Sequence, residues 1–253
     1  MNEFDEIVGI IPARYASSRF PGKPLADIGG KPMIRRVCEQ ASQVLATTYV
    51  ATDDDRIADA VRAFGGRVVM TSADHQSGTD RCAEALTRIE AAEGRKFKAV
   101  INIQGDEPFI RPEQIALLCS AFDSASTEIA TLVKPVDNSA DLFNPNKPKV
   151  VVSADGAALY FSRSPIPYLR GVDESQWHLR HRFYNHIGLY GYRADILPAI
   201  TRMKRGVLEQ CESLEQLRWL ENGCRIAVLE TRLESISIDT PDDLKALVDR
   251  GLI

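Results

Sequence analysis

The sequence predicts an α/β protein built on a mostly parallel sheet with crossover helices. Three observations carry this. Short apolar or β-branched runs alternate with amphipathic helical patterns through the first 122 residues. Polar clusters fall where the predicted strands end, not inside them. Hydrophobic residues make up 44% of the 253 positions, enough for a full core and too many for a disordered chain.

Residues 7–11, Ile-Val-Gly-Ile-Ile, read as a buried strand that Pro12 ends. A loop follows with Arg14, Arg19 and Lys23 among Ser17, Ser18 and Gly22. Gly29-Gly30 and Pro32 announce a helix over 33–45, with Ile34, Val37, Cys38, Ala41 and Leu45 on one face. Residues 47–52 form a strand, then Asp53-Asp54-Asp55 open a helix that Gly65-Gly66 stop. A strand at 67–70, a helix at 80–92 and a strand at 99–103 continue the alternation, and Pro112 opens a helix to about 122. The rhythm then changes. Residues 129–135 form a strand, and 149–153 with 157–161 form a hairpin turning at Asp155-Gly156. Residues 164–184 have no clean period. A strand at 185–192, helices at 194–202 and 208–221, strands at 225–230 and 235–238, and a helix at 242–248 complete the chain. The whole reads as one domain, 1–253, with 129–195 as an insertion or edge subregion and the C-terminus returning to the main sheet.

The formal net charge is −4, so nothing draws this chain globally to nucleic acid or an anionic membrane. An anionic ligand must be held by local cations. None of the five cysteines forms a C-x-x-C pair, so reduced, buried thiols are expected rather than zinc ligands. The acidic start MNEFDEIVG lacks the basic region of a signal peptide, and no apolar run nears about 18 residues. A cytoplasmic protein without a membrane span is expected.

The loop with Arg14, Arg19 and Lys23 has the chemistry of a polyphosphate site, with small residues for close backbone approach and cations for charge. Its plain alternative is a solvated basic loop. Neither a Walker A nor a G-x-G-x-x-G pattern is present, which argues against NAD or FAD. Asp106, in Gln104-Gly105-Asp106, follows an uncharged strand and suits Mg²⁺; a turn or cap role is the alternative. Asp239, before Thr240-Pro241, has the same two readings. Asp53-Asp54-Asp55 resembles the D-x-D of glycosyltransferases, but a strand, acids and then a helix is what N-capping gives. Ser77-Gly78-Thr79-Asp80-Arg81 caps a helix, and the same N–H groups offer a base edge or phosphate a partner. A second polar set holds Arg163, His186, Tyr190, Glu212, Glu215 and Gln216. His186 and Tyr190 are four apart on a strand, hence on one face; Glu212 and Glu215 are i, i+3 on a helix. Carboxylate and hydroxyl recognition competes here with a core histidine and a solvated helix face.

Together and in order, PARYASSRFPGKPL, GKPM, ATDDDRI, SGTDR, QGDEP, ALYFSR, NHIGLYGYR, SLEQLR and IDTPDDL resemble the 3-deoxy-manno-octulosonate cytidylyltransferase (CMP-Kdo synthetase) family, from Ile7 to Leu244. The resemblance implies a nucleotide-diphospho-sugar-transferase-like (Rossmann-like) fold with helices on both faces of the sheet. It implies that the 129–195 subregion carries sugar-binding and dimer contacts. It also implies a cytosolic homodimer, a Mg²⁺ cofactor, and transfer of CMP from CTP to Kdo for lipopolysaccharide synthesis. On this chain it would put Arg14, Arg19 and Lys23 on the triphosphate, with Asp106 beside them at the reacting phosphate. Ser77, Gly78, Thr79 and Arg81 would hold the cytidine, with Gln104 beside the nucleotide. Asp106 and Asp239 would bind Mg²⁺, and Arg163, His186, Tyr190, Glu215 and Gln216 the sugar. The stretch WHLRHRFY matches no motif. A cytidylyltransferase for 8-amino-Kdo or another 2-keto sugar acid, another nucleotidyltransferase, a glycosyltransferase and a non-catalytic nucleotide binder are the rival readings.

Overall fold

The first strand, β1 (Ile7–Ala13), runs through Pro12 instead of stopping there, in a computed structural model that describes residues 4–16, 20–234, 236, 238 and 240–249. The chain continues with α1 (Met33–Ala41), β2 (Thr47–Thr52), α2 (Asp55–Ala63), β3 (Arg67–Met70), α3 (Gly78–Glu93), β4 (Ala99–Asn102) and α4 (Pro112–Ser120). Then come β5 (Ile129–Pro135), α5 (Ser139–Phe143), the hairpin β6 (Lys149–Val152) and β7 (Ala158–Ser162), α6 (Trp177–Arg180) and β8 (Tyr184–Arg193). The last elements are α7 (Leu197–Ile200), α8 (Val207–Glu212), α9 (Gln216–Glu221), β9 (Ile226–Glu230) and α10 (Pro241–Asp249). Two compact units divide the chain: residues 1–119 with 234–253, and residues 120–233. No helix among the described residues is long and apolar enough to cross a membrane.

In the first unit the strands are parallel, in the order β3-β2-β1-β4. Val8, Ile10, Ile11, Val50, Val100 and Ile101 are fully buried, as strands covered on both faces require. Right-handed crossovers put α1 and α2 on one face and, because the order reverses after β3, α3 on the other. That reversal makes the β1/β4 junction a topological switch point, where open α/β sheets bind ligands. Pro12 is tolerated there for a specific reason. Ile10 accepts a bond from Ile103 N at 2.9 Å, so the even positions of β1 face β4. β4 has ended at Asn102, so the N–H that Pro12 lacks breaks no ladder, while β2 still pairs alongside (Pro12 with Ala51).

The C-terminal segment belongs to this unit. Ile238 and Leu247 pack with Ile28 and Met33 in one buried cluster. The strand expected at 235–238 falls partly on Ser235 and Ser237, outside the described residues.

In the second unit β5 pairs antiparallel with β8 and parallel with β9, and β6 of the hairpin joins β8 where Lys149 meets Asn185. A bulge interrupts β8 opposite Thr131 and Leu132, whose partners are Tyr190 and Ile187. The expected helix over 208–221 is two helices. Ser213 adopts a left-handed φ of 51°, which an L-residue helix cannot contain, so α8 ends and α9 starts anew. Glu212 and Glu215 therefore lie on either side of a break, not on one helical face. Residues 164–184 gain order from one side chain: Trp177, 2% exposed, packs with Val136, Leu142 and Phe183 and donates Nε1–H to Val172 O at 3.0 Å. An aperiodic stretch is ordered by a plug rather than by a repeating face.

Candidate active site

The first candidate cluster lies at the carboxyl ends of β1 to β4. Lys23 starts a 3-10 turn, Lys23–Leu25, and Gly22 before it has a φ of 71°, which favours glycine. Gly22 N also bonds Tyr15 O at 2.9 Å, closing the base of the loop. Lys23 Nζ lies 2.7 Å from Asp106 Oδ2, joining the loop after β1 to the loop after β4 at the switch point. Their side chains keep 13% and 31% exposure, so the pair is sheltered but reachable.

Two glycines bring these loops together. A Cβ at residue 105 would sit 2.9 Å from Pro12 O, and one at residue 78 would sit 3.2 Å from Pro12 Cγ. The PAR, SGTDR and QGDEP stretches thus converge on Pro12; a side chain at residue 105 would meet backbone, and one at residue 78 would crowd the proline ring. Sequence reading assigned Gly105 no part; its signal was the glycine between two polar residues at a strand end.

Arg14 follows β1 and is exposed. Arg19 lies outside the described residues. Gln104 is half-buried, and its carbonyl accepts from Glu107 N at 3.2 Å. Asp239 is also outside the described residues; its neighbour Ile238 donates N–H to Asp106 O at 3.0 Å. The partly exposed Asp106 carboxylate is a hard oxygen donor of the kind Mg²⁺ takes, so the residue present fits that ion.

Ser77 caps α3 in a capping box with Asp80: Asp80 N donates to Ser77 Oγ at 3.1 Å, and Ser77 N to Asp80 Oδ2 at 3.2 Å. The helix starts at Gly78, two residues earlier than the periodicity predicts. Thr79 is buried in its first turn. Arg81 is 1% exposed, and its Nη1 donates to Thr71 Oγ1 at 2.5 Å. Its Nη2 lies 3.0 Å from Asp53 Oδ1. The Asp53-Asp54-Asp55 stretch divides its work accordingly. Asp53 faces Arg81, and Asp54 caps α2 by accepting from Arg56 N at 3.0 Å.

The second cluster lies within the second unit. Arg163 follows β7 and is held by backbone: Nε donates to Glu212 O at 2.7 Å, Nη1 to Pro145 O at 3.0 Å and Nη2 to Ser213 O at 3.3 Å. Glu212 in turn accepts from Ser162 Oγ at 2.6 Å and Arg163 N at 2.9 Å. The break at Ser213 thus builds the seat of Arg163. Glu215 precedes α9, half-buried, and its charge reaches Tyr190. Gln216 opens α9, buried.

His186 and Tyr190 do meet, with ring centroids 5.3 Å apart. Strand period alone would leave positions four apart about 13 Å from each other. The bulge closes that distance. Thr131, fully buried beneath it, donates to Leu189 O at 2.9 Å or Ile187 O at 3.2 Å. With its single proton spent there, its oxygen accepts from His186 Nε2 at 3.1 Å, which makes Nδ1 the acceptor nitrogen. Burial pushes the imidazole down to about 3, so it is neutral at physiological pH. Burial, then the charges of Tyr192 and Glu215, raise Tyr190, which stays a phenol. Thr131 is the residue that sequence reading missed.

Gln216 Nε2 and Trp219 Nε1 are buried without hydrogen-bond partners among the described residues. Trp219 stands edge-on to Tyr190, with centroids 5.2 Å apart, and lies one turn after Gln216. Buried groups that can donate and find no acceptor fit a ligand rich in hydroxyl and carboxylate oxygens.

Similar proteins show the family. The family profile described as cytidylyltransferase matches residues 8–230. The 3-deoxy-manno-octulosonate cytidylyltransferase of Parabacteroides distasonis is 58% identical over 244 residues, 95% of this chain and 96% of that protein. The Geobacter sulfurreducens protein of the same name is 48% identical, over 96% of this chain and 98% of its own. A solved CMP:2-keto-3-deoxy-manno-octonic acid synthetase complexed with CTP superposes with a TM-score of 0.86 at 43% identity, covering 97% of this chain and 99% of that one. The mixed α/β fold read from the sequence is the fold of these proteins. The chain belongs to the 3-deoxy-manno-octulosonate cytidylyltransferase family.

Proposed function

We propose that this protein transfers CMP from CTP to 3-deoxy-D-manno-octulosonate, releasing diphosphate. The anomeric hydroxyl oxygen bonds to the α-phosphorus, the bond from that phosphorus to the diphosphate oxygen breaks, and the hydroxyl proton leaves to solvent. The observation that carries the reading is the Lys23–Asp106 pair, 2.7 Å apart at the switch point of a chain whose relatives bear this activity in their names. Lys23 would stabilise charge at the α-phosphoryl group, and Arg14 with Arg19 would hold the departing diphosphate. Ser77, Gly78, Thr79, Arg81 and Gln104 would hold the nucleoside.

Asp106 and Asp239 would hold Mg²⁺, which when bound offsets the charge on phosphate oxygens. Arg163, His186, Tyr190, Glu215 and Gln216 would orient the sugar acid. A neutral His186 suits this role, accepting at Nδ1 from a sugar hydroxyl rather than attracting triphosphate. No protein nucleophile is needed, because positioning and electrostatics supply the rate. A cytosolic homodimer serving lipopolysaccharide synthesis completes the proposal; light scattering should give twice the 28.0 kDa chain mass.

Diphosphate release tests the reaction. CTP, GTP, UTP and ATP are each paired with Kdo, 8-amino-Kdo and a nine-carbon 2-keto sugar acid in Mg²⁺ buffer. Release with CTP and Kdo well above every other pair is expected. Preference for 8-amino-Kdo would move the assignment to that sugar, and no release from CTP would overturn it. Asp106→Asn should raise the Mg²⁺ concentration for half-activation; an unchanged value would remove Asp106 from the metal.

A further inference from the structure

Lys149 is a cation in the core of the second unit. It opens β6 and is 0% exposed. Its Nζ donates to Asn144 O at 2.8 Å. Burial, then the charge of Arg163, press its pKa down, while Glu212 and Asp141 press it back up. A buried ammonium is costly, and an apolar side chain of the same length would fill the space without that cost. The reaction proposed above gives this cation no part.

The contacts around it lead to Arg163. Lys149 faces Ser162 across the β6/β7 hairpin, so their side chains share one face. Ser162 Oγ donates to Glu212 Oε1 at 2.6 Å, and Arg163 N to Glu212 Oε2 at 2.9 Å. Adjacent carbonyls complete the link. Asn144 O accepts from Lys149 Nζ, and Pro145 O accepts from Arg163 Nη1 at 3.0 Å. Pro145 locks the φ torsion between them, so anchoring the first carbonyl steers the second. Both lie in the turn between α5 and β6, where Asn144 O also accepts from Lys147 N at 3.1 Å. Further along, Pro148 O accepts from His186 N at 2.8 Å, which ties the same segment to β8.

We propose that Lys149 is a positioning residue for the sugar acid, anchoring the Asn144–Pro145 turn from inside the fold so that Pro145 O holds the Arg163 guanidinium in one orientation. A planar guanidinium meets a carboxylate as a fork, so its orientation decides the fit. This rests on the reading of Arg163 as a sugar-side residue of the reaction proposed above. Glu212 serves both cations. Its charge reaches Lys149, and its carboxylate and carbonyl take N–H groups of Arg163.

The test is steady-state diphosphate release by the full chain, with Kdo and CTP varied in turn in Mg²⁺ buffer. Lys149→Met keeps the length of the side chain and removes its charge. It should raise the KM for Kdo by about tenfold, the scale of one charged hydrogen bond, and leave the KM for CTP unchanged. Arg163→Ala should also raise the KM for Kdo. Combining the two should be no worse than Arg163→Ala alone, because Lys149 acts through Arg163. A lysine that only holds the fold together would lower the melting temperature and leave the KM for Kdo unmoved, or would add its effect to that of Arg163→Ala. Either result overturns the proposal. If Lys149→Met does not fold, Lys149→Gln, with its shorter uncharged side chain, reads the same shift, and an unchanged KM for Kdo there is equally fatal. No release from CTP and Kdo by the wild type would overturn the function itself, whereas an active wild type with an unmoved variant overturns this inference alone.

Discussion

Lys23 is an ammonium poised against a carboxylate, and its value lies in charge rather than packing. Lys23→Ala should lower kcat by about two to three orders of magnitude, the cost of losing one preorganised charge-stabilising donor. Steady-state rates of diphosphate release check this, and a variant near the wild-type rate would remove Lys23 from the chemistry. His186 illustrates the opposite design, a titratable group kept uncharged. Its folded value of about 3 lies below the ordinary 6.5, so between those limits the unfolded chain binds the extra proton. Its contribution to stability is therefore whole above pH 6.5 and shrinks as the pH falls toward 3. His186→Gln cannot gain that proton. The melting-temperature advantage of wild type over this variant should shrink from pH 7 to pH 4; a constant advantage would show that the imidazole is not held neutral.

At the scale of elements, positions are set where helices begin and break. The capping box at Ser77 fixes the first turn of α3 and so places Thr79 and Arg81. The break at Ser213 turns Glu212 toward β7 and sets Gln216 at the start of α9. A buried pair clasps the two helices across that break: Arg218 Nη2 and Nε donate to Glu209 at 2.6 and 2.7 Å. Glu209→Ala would take the two-pronged carboxylate partner from the buried Arg218 charge. It should cost about 3–5 kcal/mol, read by urea unfolding. An effect under about 1 kcal/mol, typical of exposed pairs, would mean that the pair is dispensable. The strands and α1 to α4 were legible because each carries its own period or a glycine or proline stop. The α8/α9 break was not, since Ser213 carries no glycine or proline signal and only its left-handed φ marks the break.

For the whole molecule, the chain's path explains why its two ends of sequence share one unit. The chain leaves the first unit after Cys119 and returns at Glu234. Ile238 and Leu247 then cover Ile28 and Met33, just beyond the turn that begins at Lys23. Deleting residues 234–253 should uncover that cluster, lower the melting temperature and abolish CTP binding measured by calorimetry. Retained wild-type affinity would show that the loop orders itself without its C-terminal cover. The candidate site splits in the same way as the chain. The cluster around Lys23 and Asp106 was readable because its residues sit within a few positions of predicted strand ends. The cluster around His186 and Arg163 was less so, because a bulge and a helix break place its residues, and neither leaves a periodic trace.

By itself the sequence determined the α/β class, the parallel strands of the first unit, the cation-bearing loop and the family. Alternating hydrophobic periods, glycine and proline stops and ordered motifs are local properties, and local chemistry is enough to state them. Only the tertiary structure decided that Pro12 lies inside β1 and that two glycines seat three motifs against it. It alone decided that Asp53 faces Arg81, and that Thr131 beneath a bulge brings His186 to Tyr190. These depend on which residues meet across strands and helices far apart in the chain, and no pattern along the chain encodes such a meeting.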